Sequence, residues 1–468
     1  MRGLPALSGI TADSREVAQG FLFAALPGGR ADGRAYIAEA VANGAAAVLA
    51  PEGTVWPPGV PPRPLIQDPE PRRRLAEIAA SLAGPQPATL VAVTGTNGKT
   101  SSVDFLRQIW AFSAPAASLG TLGVIAPGFA PGPGLTTPDP VALARILAQL
   151  ARAGVRRAAL EASSHGLDQF RLDGLRLAAG GFTNLTRDHL DYHGTIDAYR
   201  AAKLRLFDEL LETGAPVVAS TELDAVTTEA LREIARRRRL ELRTVGAHGE
   251  AIRLIEVVPR PEGQILRLLA RGARHDVTLK LPGRFQADNA LMAAGLADAT
   301  GTRDALDRLP GLVGVRGRME LAARLPNGAA AYVDYAHTPD AIARLLTALR
   351  PHTTGRLAIV FGAGGDRDRG KRPLMAAAAA RHADGIIVTD DNPRGERPAA
   401  IRAEVMEGCP DAIEIGDRRA AIAAGLGGLG PGDVLVVAGK GHEQGQIVGG
   451  ETLPFDDAET IRSLAGEL

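Results

Sequence analysis

The chain has 468 residues, enough for about three domains at roughly 100–200 residues each. Apolar residues make up 45% and charged residues 23% of the chain, which excludes a disordered or fibrous protein. Basic and acidic residues number 53 each, so no overall charge favours nucleic acid or an anionic membrane as a partner. The single cysteine, Cys409, excludes an internal disulfide framework and a multi-cysteine metal site, as is typical of a reducing compartment.

The N-terminal segment 1–20 lacks the apolar core of an export signal. No other run approaches the roughly 18 consecutive apolar residues that a membrane-spanning helix needs. We therefore expect a cytoplasmic protein that is neither exported nor inserted into a membrane.

Proline-rich segments divide the first part of the chain. Neither 57–64 nor 84–87 fits inside a helix or a central strand. The second segment is the better boundary, and it separates a small predicted domain, 1–86, from the rest. The sequence of this domain has both strand and helix patterns, with a predicted strand at 45–50 and a predicted helix at 72–82.

The second predicted domain is 87–313. A buried strand at 89–93 precedes a helical pattern at 99–112, so a glycine-rich turn lies where a parallel-sheet protein binds phosphate. Two more strands are predicted at 156–161 and 180–184, and two more helices at 141–153 and 196–211.

The third predicted domain is 314–468, in which strands again alternate with helices. The predicted strands are 330–335, 356–362, 385–389 and 433–438, and the predicted helices include 339–349 and 371–382. Such alternation predicts a second doubly wound parallel sheet. The expected fold is therefore α/β, with a small mixed domain, a central phosphate-binding parallel sheet and a C-terminal Rossmann-like parallel sheet.

The glycine-rich turn reads Thr94-Gly95-Thr96-Asn97-Gly98-Lys99-Thr100. Its backbone N–H groups and the dipole of the following helix would converge on an anion. Lys99 would then contact the β- and γ-phosphates of a nucleotide, and the Thr100 hydroxyl a magnesium ion. Val93 stands where the general motif has its first glycine. A chance glycine-rich loop is the alternative, and the flanking strand and helix disfavour it.

Polar residues follow the next two strands of this domain. Glu161 ends one strand, where ligands of open α/β sheets bind, and its carboxylate can hold Mg²⁺ directly or through water. A helix cap built from Ser and Glu is the alternative. The segment 182–193 concentrates acidic and imidazole groups and predicts a metal-bearing loop, in which His189 is functional and His193 structural.

Lysine is scarce in this chain. Only five of the 53 basic residues are lysine, namely Lys99, Lys203, Lys280, Lys371 and Lys440. A site that retains lysine can need a compact charge or a deprotonatable amine, which arginine does not supply. The alternative for any single lysine is that it was retained by chance and has no special role.

Together these motifs resemble the Mur ligase family of bacterial cell-wall synthesis. The matching runs, in chain order, are TGTNGKT, TTP at Thr136 to Pro138, EASSHGL, FTNLTRDHLDYHGT, AAK, LPGRF, GRME, VDYAHTPD, GGDRDRGKRP, DDNPR and AGKGHE. The resemblance extends from Asp13 to Glu443, nearly the whole chain. DNPR and GKGHE are specific to the branch that adds the third peptide residue.

The resemblance implies three binding regions. The N-terminal domain would hold the uridine nucleotide of a UDP-muramoyl dipeptide through Ser14, Gly29, Arg30 and Ala31. The central domain would bind the muramoyl peptide through Thr136, Thr137, Ser163, Gln169 and Arg171. It would bind ATP through Gly95, Thr96, Asn97, Gly98, Lys99, Thr100 and Ser101, with further contacts from Asn289, Arg318 and Asp334. The C-terminal domain would bind the incoming amino acid through Arg367, Asp391, Asn392, Pro393, Arg394, Gly439 and Glu443.

The resemblance also implies the catalytic groups. They are Lys99, Glu161, His189 and Lys203, the last carbamylated by CO₂. Two Mg²⁺ ions would be held by Thr100, Glu161, His189 and the Lys203 carbamate. ATP would phosphorylate the acceptor carboxylate, and the acyl phosphate would then react with an amine. Arginine forms no such carbamate, which explains a lysine at position 203.

The incoming amino acid is predicted to be meso-diaminopimelate. The Arg394 fork would bind its distal carboxylate and repel the ammonium of L-lysine, while Glu443 would take the distal amine. A solvated loop charge is the alternative for Arg394. Alternative functions are an L-lysine-adding ligase, a folylpolyglutamate synthetase-like ligase and a non-catalytic nucleotide-binding regulator. We expect a monomer that uses small-molecule substrates and binds no nucleic acid.

Overall fold

The computed structural model describes residues 6–28, 31–130, 132 and 134–466. The chain forms two compact units. The first consists of Met1–Val245 and Met292–Arg303, and the second of Gly246–Leu291 and Asp304–Leu468. Within the described residues, no helix combines the length and apolar character needed to cross a membrane.

The first unit begins with a small parallel sheet. Its strands are β1 (Gly9–Thr11), β2 (Phe21–Ala24), β3 (Ala47–Pro51) and β4 (Leu65–Asp68), in that spatial order. Its helices are α1 (Ile37–Ala42) and α2 (Pro71–Ala83). Pro71 suits the first turn of α2, because the N–H that proline lacks would have no hydrogen-bond partner within the helix. Leu22, Leu49 and Leu75 form part of one buried core cluster of this sheet and α2.

The larger sheet of the first unit carries the glycine-rich loop. Its strands are β5 (Thr89–Thr94), β6 (Ala116–Gly120), β7 (Gly123–Ile125), β8 (Arg157–Glu161), β9 (Ala179–Phe182), β10 (Pro216–Ser220) and β11 (Glu241–Gly246). Its helices are α3 (Lys99–Ala111), α4 (Pro140–Arg152), α5 (Ser164–Asp168), α6 (Leu190–His193), α7 (Ile196–Arg205) and α8 (Ala225–Arg238). A π-helical turn at Leu206–Leu210 continues α7.

The strand order of this sheet places three loops side by side. The order is β11-β10-β9-β5-β8-β6-β7, and every pair is parallel except β6 with β7. Because β5 lies between β8 and β9, their carboxyl ends meet at one edge. The loop after β5, Glu161 at the end of β8 and the segment after β9 therefore share that edge.

The second unit begins with an antiparallel meander and a long helix. The strands are β12 (Ile252–Arg260), β13 (Gly263–Ala270) and β14 (Ala273–Leu279). Helix α9 (Arg284–Ala299) follows, and its residues from Met292 onward belong to the first unit. The sequence pattern predicts no element for this meander.

A six-stranded sheet dominates the second unit. Its strands are β15 (Glu320–Arg324), β16 (Ala330–Asp334), β17 (Leu357–Phe361), β18 (Gly385–Val388), β19 (Ile413–Glu414) and β20 (Val434–Ala438), in the order β15-β16-β20-β17-β18-β19. Only β15 is antiparallel to its neighbour. The helices are α10 (Pro339–Leu349), α11 (Lys371–His382), α12 (Pro398–Met406), α13 (Arg418–Gly427) and α14 (Asp457–Ala465). A hairpin of β21 (Gly445–Val448) and β22 (Glu451–Pro454) precedes α14.

The α/β class and the two parallel sheets predicted from the sequence are confirmed. Observed elements match most predicted bounds within two residues; the largest difference is the predicted helix 196–211, which divides into α7 and the π-helical turn. The boundaries 1–86, 87–313 and 314–468 stay predictions.

Candidate active site

The glycine-rich loop is held by the segment that follows β9. Thr96 N donates to the Asn184 carbonyl oxygen at 2.9 Å, and Asn97 N donates to Asn184 Oδ1 at 2.9 Å. Lys99 is the first residue of α3, and Gly98 precedes it with φ of 82°. The loop therefore joins β5 to the N-terminus of α3, the arrangement in which backbone N–H groups bind phosphate.

Gly95 is required by close packing within this loop. Its φ is 148°, and a Cβ at this position would overlap Thr183 Oγ1. That hydroxyl donates to the Asn97 carbonyl oxygen at 2.6 Å. A larger residue at position 95 would displace the segment after β9 that supports the loop.

Two lysines converge on the loop carbonyls. Lys99 Nζ donates to the carbonyl oxygens of Gly95 and Thr96, both at 2.9 Å. Lys203 Nζ, from α7, donates to the same Gly95 oxygen at 2.8 Å. Tyr199, also on α7, donates its hydroxyl proton to Thr96 Oγ1 at 3.1 Å. Helix α7 thus fixes the loop from one side.

Lys203 is 1% exposed. Burial, followed by the charge of Lys99, holds the pKa of the Lys203 amine well below its usual value, and Asp188 opposes the shift only weakly. Its Nζ lies 4.5 Å from the centroid of the Tyr199 ring. A lowered pKa favours the neutral amine, which is the form that reacts with CO₂. The surroundings of Lys203 therefore fit a carbamate.

Glu161 is also buried, at 2% exposure. Its Oε1 accepts a hydrogen bond from Thr121 N at 2.8 Å, and its Oε2 accepts one from Thr121 Oγ1 at 3.3 Å. Thr137 Oγ1 donates to the Glu161 carbonyl oxygen at 2.8 Å and lies 3.0 Å from Ser163 Oγ. Thr136 Oγ1 lies 3.1 Å from Thr121 Oγ1. Thr136, Thr137 and Ser163, predicted to bind the muramoyl peptide, are therefore linked to Glu161 through its backbone carbonyl or through Thr121.

His189 lies on the loop before α6 with φ of 52°, and its side chain is 48% exposed. Its ring centroid is 4.9 Å from that of His165, which is 5.5 Å from that of His193. In the part of the chain that is described, no three His, Cys, Asp or Glu side chains are arranged to hold a metal ion. A carbamate on Lys203 would add anionic oxygens, which suit Mg²⁺, to the predicted ligands Thr100, Glu161 and His189.

A cavity of about 850 Å³ in the first unit combines the two predicted regions for the UDP-muramoyl dipeptide. Ser14 and Ala31 line it from the N-terminal region, and Gln169 and Arg171 line it from the segment after β8. Arg171 Nη1 donates to the Thr137 carbonyl oxygen at 2.6 Å, and Nη2 donates to Gln169 Oε1 at 2.8 Å. The other two predicted contacts, Gly29 and Arg30, lie outside the described residues.

The second unit brings together the remaining predicted nucleotide contacts. Asp334, at the end of β16, accepts hydrogen bonds from Met319 N at 2.7 Å and Ala336 N at 2.8 Å. Loss of solvation raises the pKa of the Asp334 carboxyl, against the nearby charge of Arg318. Arg318 lies over the Tyr335 ring, 4.8 Å from its centroid. Gln286 donates to the Arg318 carbonyl oxygen at 3.2 Å and accepts a hydrogen bond from Asn289 at 3.1 Å.

The residues predicted to bind the amino acid follow three adjacent strands, β17, β18 and β20. Asn392 Nδ2 donates to Glu443 Oε2 at 2.8 Å. Gly439 has φ of 111°, and a Cβ there would lie 2.5 Å from Asp391 Oδ2. Arg367 is exposed on the loop after β17.

Arg394 is fixed by both its backbone and its side chain. Its φ is 51°, its N–H donates to the Ile447 carbonyl oxygen at 2.9 Å, and its carbonyl oxygen accepts from Gly449 N at 2.7 Å. Its Nη1 donates to the Gly365 carbonyl oxygen at 2.9 Å. Pro393 is buried and precedes it. The hairpin β21–β22 therefore orients the predicted specificity residue.

Three family models match successive parts of the chain. The Mur ligase family, catalytic domain model matches 6–81, the Mur ligase middle domain model matches 93–297, and the Mur ligase, glutamate ligase domain model matches 317–441. The chain belongs to the Mur ligase family.

Known proteins resemble this Mur ligase over nearly its full length. The UDP-N-acetylmuramoyl-L-alanyl-D-glutamate--2,6-diaminopimelate ligase of Caulobacter vibrioides is 54% identical, with 99% of this chain and 96% of that protein covered. A solved structure of a ligase of the same name is 34% identical with a TM-score of 0.74, covering 98% and 95% of the two chains. MurF ligase from Thermotoga maritima, solved in complex with ADP, shares the fold at 18% identity, a TM-score of 0.64 and coverage of 98% and 97%.

Two lysines of the second unit of this Mur ligase have no role predicted from the sequence. Lys440 is 0% exposed, and its Nζ donates to Asn392 Oδ1 at 2.8 Å. Lys371 Nζ donates to the His337 carbonyl oxygen at 3.0 Å. The scarcity of lysine in the chain is the one signal that marks both positions.

Proposed function

We propose that this Mur ligase joins meso-2,6-diaminopimelate to UDP-N-acetylmuramoyl-L-alanyl-D-glutamate, with hydrolysis of ATP, in the synthesis of peptidoglycan precursors. The observation that carries the proposal is the set of relatives at 48–54% identity over 97–99% of the chain that share one ligase name. The positions of Arg394, Asn392 and Glu443 support the assignment of meso-diaminopimelate as the amino acid. We place the reaction in the cytoplasm, which agrees with the absence of a disulfide framework.

Each predicted domain would contribute to substrate binding. The region 1–86 would hold the uridine nucleotide, and the 850 Å³ cavity supports this, since Ser14 and Ala31 line it. The region 87–313 would bind ATP at the loop after β5. The region 314–468 would bind the amino acid at the ends of β17, β18 and β20.

The first chemical step is phosphoryl transfer. An oxygen of the glutamate side-chain carboxylate attacks the γ-phosphorus of ATP, the bond to the bridging oxygen breaks, and ADP leaves. The backbone N–H groups of the loop and the Lys99 ammonium would hold the phosphates in line for this attack. Mg²⁺ held by Thr100, Glu161, His189 and the Lys203 carbamate would supply the charge neutralisation that two anionic reactants require.

The second step is amide formation. The unprotonated amine of diaminopimelate attacks the acyl carbon, inorganic phosphate leaves, and the nitrogen loses a proton. Arg394 would bind the distal carboxylate, and Glu443 the distal ammonium. This anchoring converts a bimolecular attack into a positioned one, which accelerates the reaction.

The other candidate functions have less support. Folylpolyglutamate synthase of Mycobacterium tuberculosis, solved with ADP and AMPPCP, is 18% identical to this chain, a likeness of fold alone. A non-catalytic regulator would need the phosphate loop but neither the buried Glu161 nor the buried Lys203. An L-lysine-adding ligase would leave the Arg394 guanidinium without a carboxylate to bind.

The proposal is tested by measuring ADP release from the purified chain with ATP, Mg²⁺, UDP-N-acetylmuramoyl-L-alanyl-D-glutamate and meso-diaminopimelate. We expect ADP to form only when all substrates are present, in amounts equal to the UDP-muramoyl tripeptide formed. Reactions that omit one substrate at a time are the controls. ADP release that does not require the dipeptide and the amino acid would contradict the proposal.

A further inference from the structure

Lys440 lies at the centre of the predicted amino-acid site. Its side chain is 0% exposed, and its Nζ donates to Asn392 Oδ1 at 2.8 Å. The same Nζ lies 3.6 Å from Glu443 Oε2 and 3.7 Å from Asp391 Oδ1. A buried ammonium is strongly destabilising unless it is paired and hydrogen-bonded. The two carboxylates and the Asn392 amide oxygen are its partners.

Lys440 fixes the orientation of the Asn392 amide. Asn392 Oδ1 accepts from both Lys440 Nζ and Ile447 N, the latter at 3.0 Å. Both groups are donors, so the amide cannot rotate by 180° without facing its NH₂ group toward them. The NH₂ group therefore faces Glu443 Oε2, to which it donates at 2.8 Å. The orientation of Glu443 depends on Lys440 through Asn392.

Lys440 also supplies a compact positive charge. An arginine at position 440 would place its positive charge differently. Arg418, 2% exposed, already donates to the Ala438 carbonyl oxygen at 3.0 Å and pairs with Asp457 through two hydrogen bonds of 2.7 Å. The space beside Asn392 holds a compact ammonium instead. This explains why an arginine-rich chain has lysine here.

We propose that Lys440 is a positioning residue that prepares Glu443 and Asn392 to receive the distal end of the amino acid. The inference rests on the proposed function, because it assumes that this pocket binds diaminopimelate. Without Lys440, Asp391 and Glu443 lose the ammonium that lies 3.7 and 3.6 Å away, and the Asn392 amide loses the donor that fixes its orientation. The pocket would then bind diaminopimelate weakly, while the ATP and UDP-dipeptide sites would be unaffected.

The test compares Lys440→Met with Lys280→Met, a matched substitution of an exposed lysine that contributes nothing to the proposed site. Steady-state kinetics would give kcat and the separate KM values for diaminopimelate, ATP and the UDP-dipeptide. In Lys440→Met we expect KM for diaminopimelate to rise about tenfold or more, with the other two KM values within about twofold of wild type. Lys280→Met should match wild type in all of these constants.

A purely structural role for Lys440 would produce a different result. Partial unfolding would lower the apparent kcat, because fewer molecules would be active, and it would leave every KM unchanged. That result would overturn the inference. Lys440→Arg keeps the charge and the donors, so it provides a second test if the methionine variant does not fold. We expect its KM for diaminopimelate to lie between those of wild type and Lys440→Met, and a wild-type KM in every folded variant would contradict the proposal.

The two proposals fail in different ways. Wild-type enzyme that does not turn over diaminopimelate would overturn the proposed function, and this inference with it. Active wild-type enzyme with unaltered KM in the Lys440 variants would overturn this inference alone.

Discussion

Lys203 Nζ donates a 2.8 Å hydrogen bond to the carbonyl oxygen of Gly95, 108 positions earlier in the chain. This bond joins α7 to the phosphate loop and places a buried amine beside the proposed phosphoryl-transfer site. Lys99 donates to the same oxygen at 2.9 Å, so two amines share one acceptor. Their mutual repulsion, added to burial, keeps the pKa of Lys203 low. The loop thus binds one lysine that would contact phosphate and one that would accept CO₂.

Lys99→Ala should abolish ligation while the protein remains folded. The substitution removes the ammonium that would contact the transferring phosphoryl group, and the loss of such a contact lowers kcat by about a hundredfold or more. Single-turnover ADP formation measures the effect, with circular dichroism as the check on folding. Near-wild-type ADP formation by a folded variant would contradict the role assigned to Lys99.

Lys203→Ala should be nearly inactive and should regain activity when formate or acetate is added. A small carboxylate can occupy the space that the carbamate leaves and supply the anionic oxygen that Mg²⁺ needs. We expect Lys203→Arg to be inactive and not rescued, because its side chain occupies the space without forming a carbamate. Electron density of the wild type with bicarbonate and Mg²⁺ provides an independent check: a bare amine at position 203 would refute the proposal.

Arg394→Lys should lower kcat/KM for diaminopimelate steeply, and Arg394→Ala should lower it further. Lysine keeps the charge but loses the two parallel hydrogen bonds to the distal carboxylate. Selection of diaminopimelate over L-lysine in the wild type should be about a thousandfold, since L-lysine leaves a guanidinium without its carboxylate. The measurement is kcat/KM for both amino acids in all three proteins. If Arg394→Ala still prefers diaminopimelate over L-lysine as strongly as wild type does, the selectivity depends on other residues.

The stability of the protein should fall as the pH decreases from about 6.5 to about 4, partly through His442. Burial, followed by the charges of Arg318 and Arg316, lowers the pKa of His442 to about 4, below its ordinary value of 6.5. Between these values the unfolded chain binds a proton at His442 that the folded chain does not, so acidification favours unfolding. This contribution is constant above pH 6.5. Unfolding midpoints measured over this range should decrease less in His442→Gln than in wild type, and identical pH profiles would exclude the effect.

Sequence reasoning predicted the parts of the site that depend on strand ends. The loop at Gly95 to Thr100 and Glu161 lie at strand ends of the sheet in the first unit, and Asn392 follows a strand of the sheet in the second unit. Parallel strands end at one edge, so the grouping of site residues within each sheet follows from the fold. The antiparallel meander β12–β14 was not predicted, although glycine begins β13 at Gly263 and lies in the next turn at Gly272. That segment lacks the strand-helix alternation on which the other assignments depended.

The role of Lys440 could not be predicted from its motif. A lysine in a glycine-rich loop is usually solvated, and only the three-dimensional structure places Asp391 and Glu443 around it. The contact between three histidine rings could not be predicted either, because His165 comes from a different segment of the chain than His189 and His193. Both the surroundings of Lys440 and the histidine contact depend on segments that are distant in sequence.

A competition experiment tests the central claim most directly. The purified chain would be incubated with ATP, Mg²⁺, UDP-N-acetylmuramoyl-L-alanyl-D-glutamate and equal concentrations of meso-diaminopimelate and L-lysine, and the nucleotide products would be identified by mass spectrometry. We predict a UDP-muramoyl tripeptide that ends in diaminopimelate, with the lysine product at about a thousandth of its amount or less. A product that contains mainly lysine, or no amino-acid-dependent product, would contradict the account.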